Sequence, residues 1–344
     1  MTNALYPVPD TVKTRRPSPP SIALRPPSAG THRPHSTGGH GIIADMTTTD
    51  TILPVDRTED GITVLRLIPN PAKPRGGVVV LDAWLLDAID ATMTEIADGP
   101  TPTGFVLASD SERVFVAGAD LAEIDALDDE ALLAYLEKGA AAYQRIASLA
   151  CPTVAAINGA TLGGGLEIAM HCDALVGTVV GTDEKPWRIG LPEAGLGLCP
   201  GWGGTQMLPA RIDPSVAIQS TATGRTFKST EAPEGLLDLM VPARDLRTAA
   251  YTWIREHGGA EQDRIAHAAP RSINDSNRES IAGGLESAIA ATETDDASGA
   301  VFEAIRVGLA DGWTEALAAE RRLLTGLRHT EAARTRLEAF LSKA

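Results

Sequence analysis

Short apolar runs alternate with longer amphipathic segments between residues 60 and 180, and this alternation constrains the fold more than any other feature of the chain. The apolar runs "GITVLRLIP", "TGFVLAS", "PTVAAING" and "DALVGTVV" are typical of strands. The segments between them include "LDAWLLDAIDATMTEIADG", which has Asp82 as a candidate N-cap, and "DEALLAYLEKGAAAYQRIASLA", which ends before Pro152. Repeated strand–helix–strand order predicts a largely parallel sheet in an α/β fold.

The strand–helix alternation does not extend to either end of the chain. After residue 203 the pattern becomes helical, from "GGTQMLPARI" to "TEALAAERRLLTGLRHTEAARTRLEAFLSK". Residues 1–46 are rich in Pro, Ser and Arg, which predicts a disordered tail, with a metal site at His32, His35 and His40 as the alternative. We therefore predict a tail at 1–46, a core domain at 47–255 and a C-terminal helical region at 256–344.

Charge and cysteine usage narrow the class of function. The net charge is −15, which argues against nonspecific binding of nucleic acid or of an anionic membrane. The three cysteines, Cys151, Cys172 and Cys199, are widely spaced without a CxxC, which predicts a reducing cytoplasmic location with neither a disulfide framework nor a zinc site. The uncharged stretch 146–166 contains a proline and a glycine cluster, which favours two buried elements over a membrane span.

Three motifs carry the residue types of a catalytic site: "RVFVAGADLAEI" at 113–124, "GGGLEI" at 163–168 and "GLPEAGLGLCPGWGGT" at 190–205. Glycines just before a helix leave backbone N–H groups uncovered at the positive end of the helix dipole. Two such groups from separate loops form an oxyanion hole, and the "AGAD" turn could supply the second. Glu167 and Glu193 could share general acid and base work. The motifs together predict a site that polarises a carbonyl and moves protons beside it.

Each motif also has a structural interpretation. Glu167 falls in the first turn of a helix, where a carboxylate often only complements the helix dipole. Glu193 follows Pro192, which is a common way to begin a helix. "PGWGGT" could bind phosphate, but it lacks the Lys-Ser/Thr ending of a P-loop. The conjunction and order of the motifs favour the catalytic interpretation.

Four segments in order resemble the enoyl-CoA hydratase/isomerase (crotonase) family: "VFVAGADLAEI", "CPTVAAINGATLGGGLEIAMHCDALVG", "GLPEAGLGLCPGWGGTQMLPARI" and "TGRTFKSTEAPEGLLDLMVP". The third segment and "LRHTEAARTRLEAFL" look most like the hydratase module of multifunctional fatty-acid β-oxidation proteins. The resemblance implies a crotonase-like ββα spiral core. It also implies C-terminal helices that cover the active site and mediate assembly into homo-trimers or hexamers.

The resemblance assigns roles to particular residues. Glu167 and Glu193 match the two catalytic glutamates, and Ala119 and Gly164 match the donors of the oxyanion hole. The residues implied to bind substrate are Ala117, Gly118, Asp120, Leu121, Gly163, Pro192, Gly201 and Trp202. Arg75 and Arg113 are candidate partners for the CoA phosphates.

The activity implied is that of an enoyl-CoA hydratase, a lyase that adds water across the C2=C3 bond of trans-2-enoyl-CoA in fatty-acid β-oxidation or a related pathway. Glu167 is expected to activate the water for attack at C3, and Glu193 to deliver a proton to C2. No metal or redox cofactor is expected, since CoA enters with the substrate. The alternatives are a Δ3-Δ2-enoyl-CoA isomerase, which generally needs only the second glutamate, and a non-catalytic acyl-CoA-binding subunit that docks a separate dehydrogenase.

Overall fold

The computed structural model describes residues 52–258 and 272–342. The predicted tail, with its three histidines, lies outside the described residues, as do residues 259–271 and the last two positions. Within the described ranges, no helix combines the length and the apolar character that crossing a bilayer requires.

A larger sheet holds six of the described strands in the order β1-β2-β3-β5-β7-β10. Every neighbouring pair is parallel except β1 with β2. The parallel sheet predicted from the strand–helix alternation is therefore confirmed. The strands are β1 (Val55–Arg57), β2 (Ile62–Leu67), β3 (Gly104–Ser109), β5 (Thr153–Ile157), β7 (Ala174–Thr178) and β10 (Leu239–Val241).

A second, smaller sheet has the order β4-β6-β8-β9, in which the first three strands are parallel and the last is antiparallel. Its strands are β4 (Val114–Val116), β6 (Ala160–Leu162), β8 (Arg188–Gly190) and β9 (Phe227–Lys228). From β3 to β8, consecutive strands alternate between the two sheets and a helix follows each pair. This is the ββα spiral implied by the resemblance, so the predicted fold class is confirmed.

Most of the helices lie within the predicted segments, but the helix Pro214–Thr223 is in none of them, and the last predicted run, residues 314–343, contains two helices. Asp82 caps α1 as expected, since its side chain accepts a hydrogen bond from Leu85 N at 2.9 Å. The helices are α1 (Ala83–Asp98), α2 (Leu121–Ala126), α3 (Asp129–Ala147), α4 (Gly164–Met170), α5 (Gly204–Arg211), α6 (Pro214–Thr223), α7 (Leu246–His257), α8 (Arg278–Ala291), α9 (Asp296–Asp311), α10 (Trp313–Leu327) and α11 (Glu331–Leu341).

The larger sheet is covered on both faces. One face belongs to the main core, which also contains α1, α3 and the second sheet. On the other face, Ala250 and Ile254 of α7 pack against valines of β2, β3, β5 and β7. A Cβ at Gly104 would lie 2.2 Å from Ile254 Cγ2, so α7 rests directly on the strand backbone. Burial on both faces explains why the central strands read as continuous apolar runs.

Candidate active site

The three motifs follow the carboxyl ends of three neighbouring strands in the second sheet. "AGAD" follows β4, the glycine cluster follows β6, and Glu193 follows β8. Gly163 N donates a hydrogen bond to Gly190 O at 2.9 Å, which ties two of these ends together. Carboxyl ends of parallel strands meet at one edge, and ligands bind there in open α/β sheets. Segments far apart in sequence therefore line one cavity of about 380 Å³.

Most of the predicted site residues line this cavity. They are Glu167 and Glu193, Ala119 and Gly164, and the substrate-binding candidates Ala117, Gly118, Leu121, Gly163, Pro192, Gly201 and Trp202. The cavity also contains apolar side chains that the motifs do not identify, among them Ile124, Leu136, Leu324 and Phe340. The last two come from α10 and α11, so the C-terminal helices contribute to the wall.

Asp120, Arg75 and Arg113 are the predicted residues that are not part of the cavity wall; the side chain of Asp120 is buried. Its carboxylate accepts hydrogen bonds from two backbone N–H groups of α2 and pairs with Arg75. Arg75 also lies 3.4 Å from the carboxylate of Asp82, the cap of α1. The guanidinium predicted to meet CoA phosphate thus joins two helix caps and steadies the loop that contains Ala119. Arg113 is exposed on a separate cleft.

The glycine cluster allows three close approaches. Gly163 has φ +53°, and a Cβ there would lie 2.6 Å from Glu193 Oε1. At Gly164 a Cβ would lie 2.4 Å from Trp202 Cζ3, and at Gly165 it would lie 2.4 Å from Val116 O. The glycines therefore begin α4 where no side chain fits.

Glu167 is 1% exposed and binds another helix rather than only its own. Its Oε1 accepts hydrogen bonds from Trp202 N and Gly204 N, both at 2.8 Å, at the start of α5. Burial raises the pKa of Glu167 well above its usual range, and the charges of Glu193 and Glu320 add to this. The two N–H bonds act in the opposite direction, because they stabilise the carboxylate.

Glu193 begins the 3-10 helix Glu193–Leu196, and its carboxyl group faces the cavity in a different environment. Its Oε2 is enclosed and has no hydrogen-bond partner among the described residues. Burial raises the pKa of Glu193 to about 7, and the charge of Glu320 contributes in the same direction. A carboxyl group in such surroundings is held more easily as the neutral acid.

The two predicted oxyanion-hole donors are the backbone N–H groups of Ala119 and Gly164, both of which line the cavity. Leu81 N donates to Gly118 O, and Asp120 N donates to Leu81 O, both at 2.9 Å. Ala119 therefore lies between the two residues that bond to Leu81. In a parallel pair of strands, the backbone groups of such an intervening residue point to the opposite side, so the N–H of Ala119 points away from Leu81. Gly164 is the first residue of α4, where N–H groups lack intrahelical partners. Within 52–258 and 272–342, neither N–H has a hydrogen-bond acceptor.

A third buried carboxylate, Glu320 on α10, adjoins the site and is not identified by the motifs. Its Oε2 accepts from Gly203 N at 2.6 Å, and its Oε1 accepts from Thr205 N at 2.9 Å and from the Thr205 hydroxyl. Burial raises its pKa to about 7, and these bonds oppose the shift. The sequence contains one feature that could have identified Glu320. It lies four residues from both Ala316 and Leu324, so a charged side chain falls on the apolar face of the helix.

Sequence comparison identifies relatives of this chain. Residues 79–283 match the family model described as "Enoyl-CoA hydratase/isomerase". The chain is 30% identical over 297 residues to the fatty acid oxidation complex subunit alpha of Idiomarina loihiensis, covering 84% of the chain and 40% of that relative. A Shewanella protein of the same name is 36% identical over 54% of the chain and 26% of its own length. The chain thus spans less than half the length of these relatives.

Solved structures share the fold. Enoyl-CoA hydratase from Bacillus anthracis aligns with a TM-score of 0.52 and 26% identity, over 85% of this chain and 96% of that one. A carnitinyl-CoA dehydratase from Mycobacterium thermoresistibile aligns with a TM-score of 0.61 and 20% identity, over 84% and 89%, and this likeness concerns the fold alone. The family model covers more than half of the residues. The chain therefore belongs to the enoyl-CoA hydratase/isomerase family.

Proposed function

We propose that this member of the family is an enoyl-CoA hydratase acting on trans-2-enoyl-CoA thioesters. The observation that carries the proposal is a pair of carboxyl groups in one cavity with unequal hydrogen bonding, beside two backbone N–H groups that have no acceptor among the described residues. Hydration needs a base for the water, an acid for the carbon and a site for the enolate oxygen. The cavity offers one group of each kind.

Hydrogen bonding distinguishes the base from the acid. Two N–H donors meet Oε1 of Glu167, where they stabilise the ionised form against the burial that raises its pKa, and Oε2 is left for a water in the cavity. Oε2 of Glu193 is enclosed without a donor, which favours the protonated form. Paired carboxyl groups whose surroundings differ in this way take separate acid and base roles. We therefore assign Glu167 as the base and Glu193 as the acid.

The proposed reaction uses these groups in a defined order. Glu167 accepts a proton from water as the water oxygen bonds to C3 of the substrate. The C2=C3 electron pair shifts to form the enolate, and the N–H groups of Ala119 and Gly164 stabilise its thioester oxygen. Glu193 then gives its proton to C2, and the proton on Glu167 returns to Glu193 through solvent. One donor of such an oxyanion hole is typically worth about 3–4 kcal/mol of barrier.

The substrates follow from the cavity and from the relatives. Leu136, Leu324 and Phe340 give the cavity an apolar wall that suits an acyl chain. The relatives are named as subunits of fatty acid oxidation complexes, and we extend that role in fatty-acid oxidation to this chain as part of the proposal. A homo-trimer or hexamer, a cytoplasmic location and a separate dehydrogenase partner stay predictions.

The direct test is the reaction with crotonyl-CoA, followed by the loss of enone absorbance. Saturable turnover that both Glu167→Gln and Glu193→Gln abolish supports the hydratase. Migration of the double bond in a 3-enoyl-CoA that only Glu193→Gln abolishes indicates the isomerase. Saturable binding of crotonyl-CoA without turnover of either substrate indicates a non-catalytic subunit.

Both glutamates should shape the pH dependence: protonation of Glu167, whose pKa burial raises, removes the base at low pH, and loss of the Glu193 proton sets the alkaline limb. The proton on Glu193 is present below its pKa of about 7 and is lost above it. We therefore expect kcat/KM, which reports groups of the free enzyme, to fall as pH rises past about 7. Initial rates measured across a pH series at low substrate concentration give the profile. A kcat/KM that stays constant far above that pH contradicts the assignment of Glu193 as the acid.

A further inference from the structure

Four consecutive backbone N–H groups at the start of α5 are shared by two carboxylates in alternation. Trp202 N and Gly204 N donate to Glu167, both at 2.8 Å. Gly203 N and Thr205 N donate to Glu320, at 2.6 and 2.9 Å. The two acids come from α4 and α10, more than a hundred residues apart in sequence. One helix end therefore connects the proposed base with a carboxylate that is not part of the cavity wall.

Glu320 is arranged to hold a negative charge. Both of its oxygens accept from donors, and one of them also accepts from the Thr205 hydroxyl; these bonds stabilise the carboxylate and oppose the burial that raises its pKa to about 7. The start of α5 adds the positive end of a helix dipole. Other ionisable groups that act on or respond to this carboxylate are Glu167, Glu193, Arg321 and the thiol of Cys199.

We propose that Glu320 is a positioning residue for the hydration: it orients Glu167 through the turn of residues 202–205, whose backbone N–H groups the two carboxylates share. This inference rests on the proposed hydratase function. It assigns a role in the reaction to a C-terminal residue that touches neither the substrate nor the cavity.

The positioning acts through the turn at 202–205. Glu320 binds the N–H groups of Gly203 and Thr205 and so fixes the backbone of the turn. In this arrangement, the N–H groups of Trp202 and Gly204 both point at Oε1 of Glu167. Without this anchor, the turn can rotate and Glu167 loses one or both of its donors. Removing a group that orients a ligand of a catalytic metal typically lowers activity by about 10–100-fold, and we expect a loss of the same order here.

The negative charge of Glu320 also affects Glu193, the proposed acid. Burial is the main cause of the raised pKa of Glu193, and the negative charge of Glu320 is a second cause. Removing that charge lowers the pKa of Glu193, so its proton is lost at a lower pH. The decline of kcat/KM on the alkaline side should then begin earlier. A purely structural contact would not produce this shift.

Glu320→Gln is the test, measured as crotonyl-CoA hydration across a pH series. Glutamine has one acceptor oxygen, so its NH₂ group faces either Gly203 N or Thr205 N. We expect kcat to fall by about 10–100-fold with KM near its original value, and the alkaline limb to move to lower pH. Glu315→Gln is the matched control, because Glu315 lies on the same helix but is exposed, and it should change neither quantity.

Thr205 supplies a second test in case Glu320→Gln does not fold. Thr205→Val removes the hydroxyl donor to Glu320, and Thr205→Ser keeps it. A lower kcat in the valine variant, restored in the serine variant, supports the proposal, and unchanged rates in both overturn it. A folded Glu320→Gln protein that keeps the original kcat and the original alkaline limb also overturns it. If the unmodified chain does not hydrate crotonyl-CoA, the proposed hydratase function is wrong. If it does but the variants behave like it, only the proposed role of Glu320 is wrong.

Discussion

Glu167→Gln lowers the kcat for crotonyl-CoA hydration by about 100- to 10,000-fold while the protein stays folded. Glutamine has nearly the same shape, and its amide oxygen can still accept from Trp202 N and Gly204 N. It cannot accept a proton from water, so the loss should appear in kcat rather than in KM. Steady-state rates over a range of substrate concentrations, with a thermal melt of each protein, separate these effects.

Glu279→Gln is the matched control for the alternative in which Glu167 only complements its helix dipole. Glu279 occupies the first turn of α8 and is exposed. We expect its replacement to leave hydration unchanged and to cost at most about 0.3–1 kcal/mol of stability. If Glu167→Gln also hydrates crotonyl-CoA at close to the original rate, the dipole interpretation is sufficient and Glu167 is not the base.

Gly163→Ala should reduce both stability and activity. The backbone at this position has φ +53°, and strain of this kind costs about 1–3 kcal/mol for a residue with a side chain. The added methyl group would also lie 2.6 Å from Glu193 Oε1, so the acid must move. A shift of that size in a reacting group can lower kcat by about 100-fold. Denaturant unfolding and initial rates on the same preparation measure the two losses.

Gly326→Ala is the control for the glycine substitution. Gly326 is the second-to-last residue of α10, and a Cβ there meets no atom within 4 Å. Alanine is the better helix former, so we expect no loss of stability, a gain of at most about 0.8–1 kcal/mol and no change in activity. A Gly163→Ala protein with the original stability and the original kcat would show that the glycine cluster is not shaped by Glu193.

The sequence predicts the larger sheet better than the smaller one. Strands β2, β3, β5 and β7 are apolar runs of five or six residues, and helices of regular period flank them. Strands β4, β6 and β8 have only three residues each, which is too short for periodicity to indicate a strand. Their pairing depends on contacts between distant segments, so only the family resemblance could imply the spiral.

The sequence likewise identifies some residues of the site and misses others. Glu167 and Glu193 stand in motifs whose order is visible in the sequence, and both line the cavity. Asp120 stands in a motif too, but the N–H groups of α2 and the guanidinium of Arg75 bind its carboxylate outside the cavity wall. Glu320 has no motif, because its contacts with Gly203 and Thr205 exist only after α10 folds back onto α5.

In the proposed reaction, the two glutamates add water to the C2=C3 bond of the substrate. The most direct measurement is mass spectrometry of the product formed from crotonyl-CoA in deuterated water enriched in oxygen-18. We predict a 3-hydroxyacyl-CoA with heavy oxygen at C3 and one deuterium at C2, formed by the unmodified chain and by neither Glu167→Gln nor Glu193→Gln. Unchanged crotonyl-CoA, or deuterium in the acyl chain without heavy oxygen, would contradict the account.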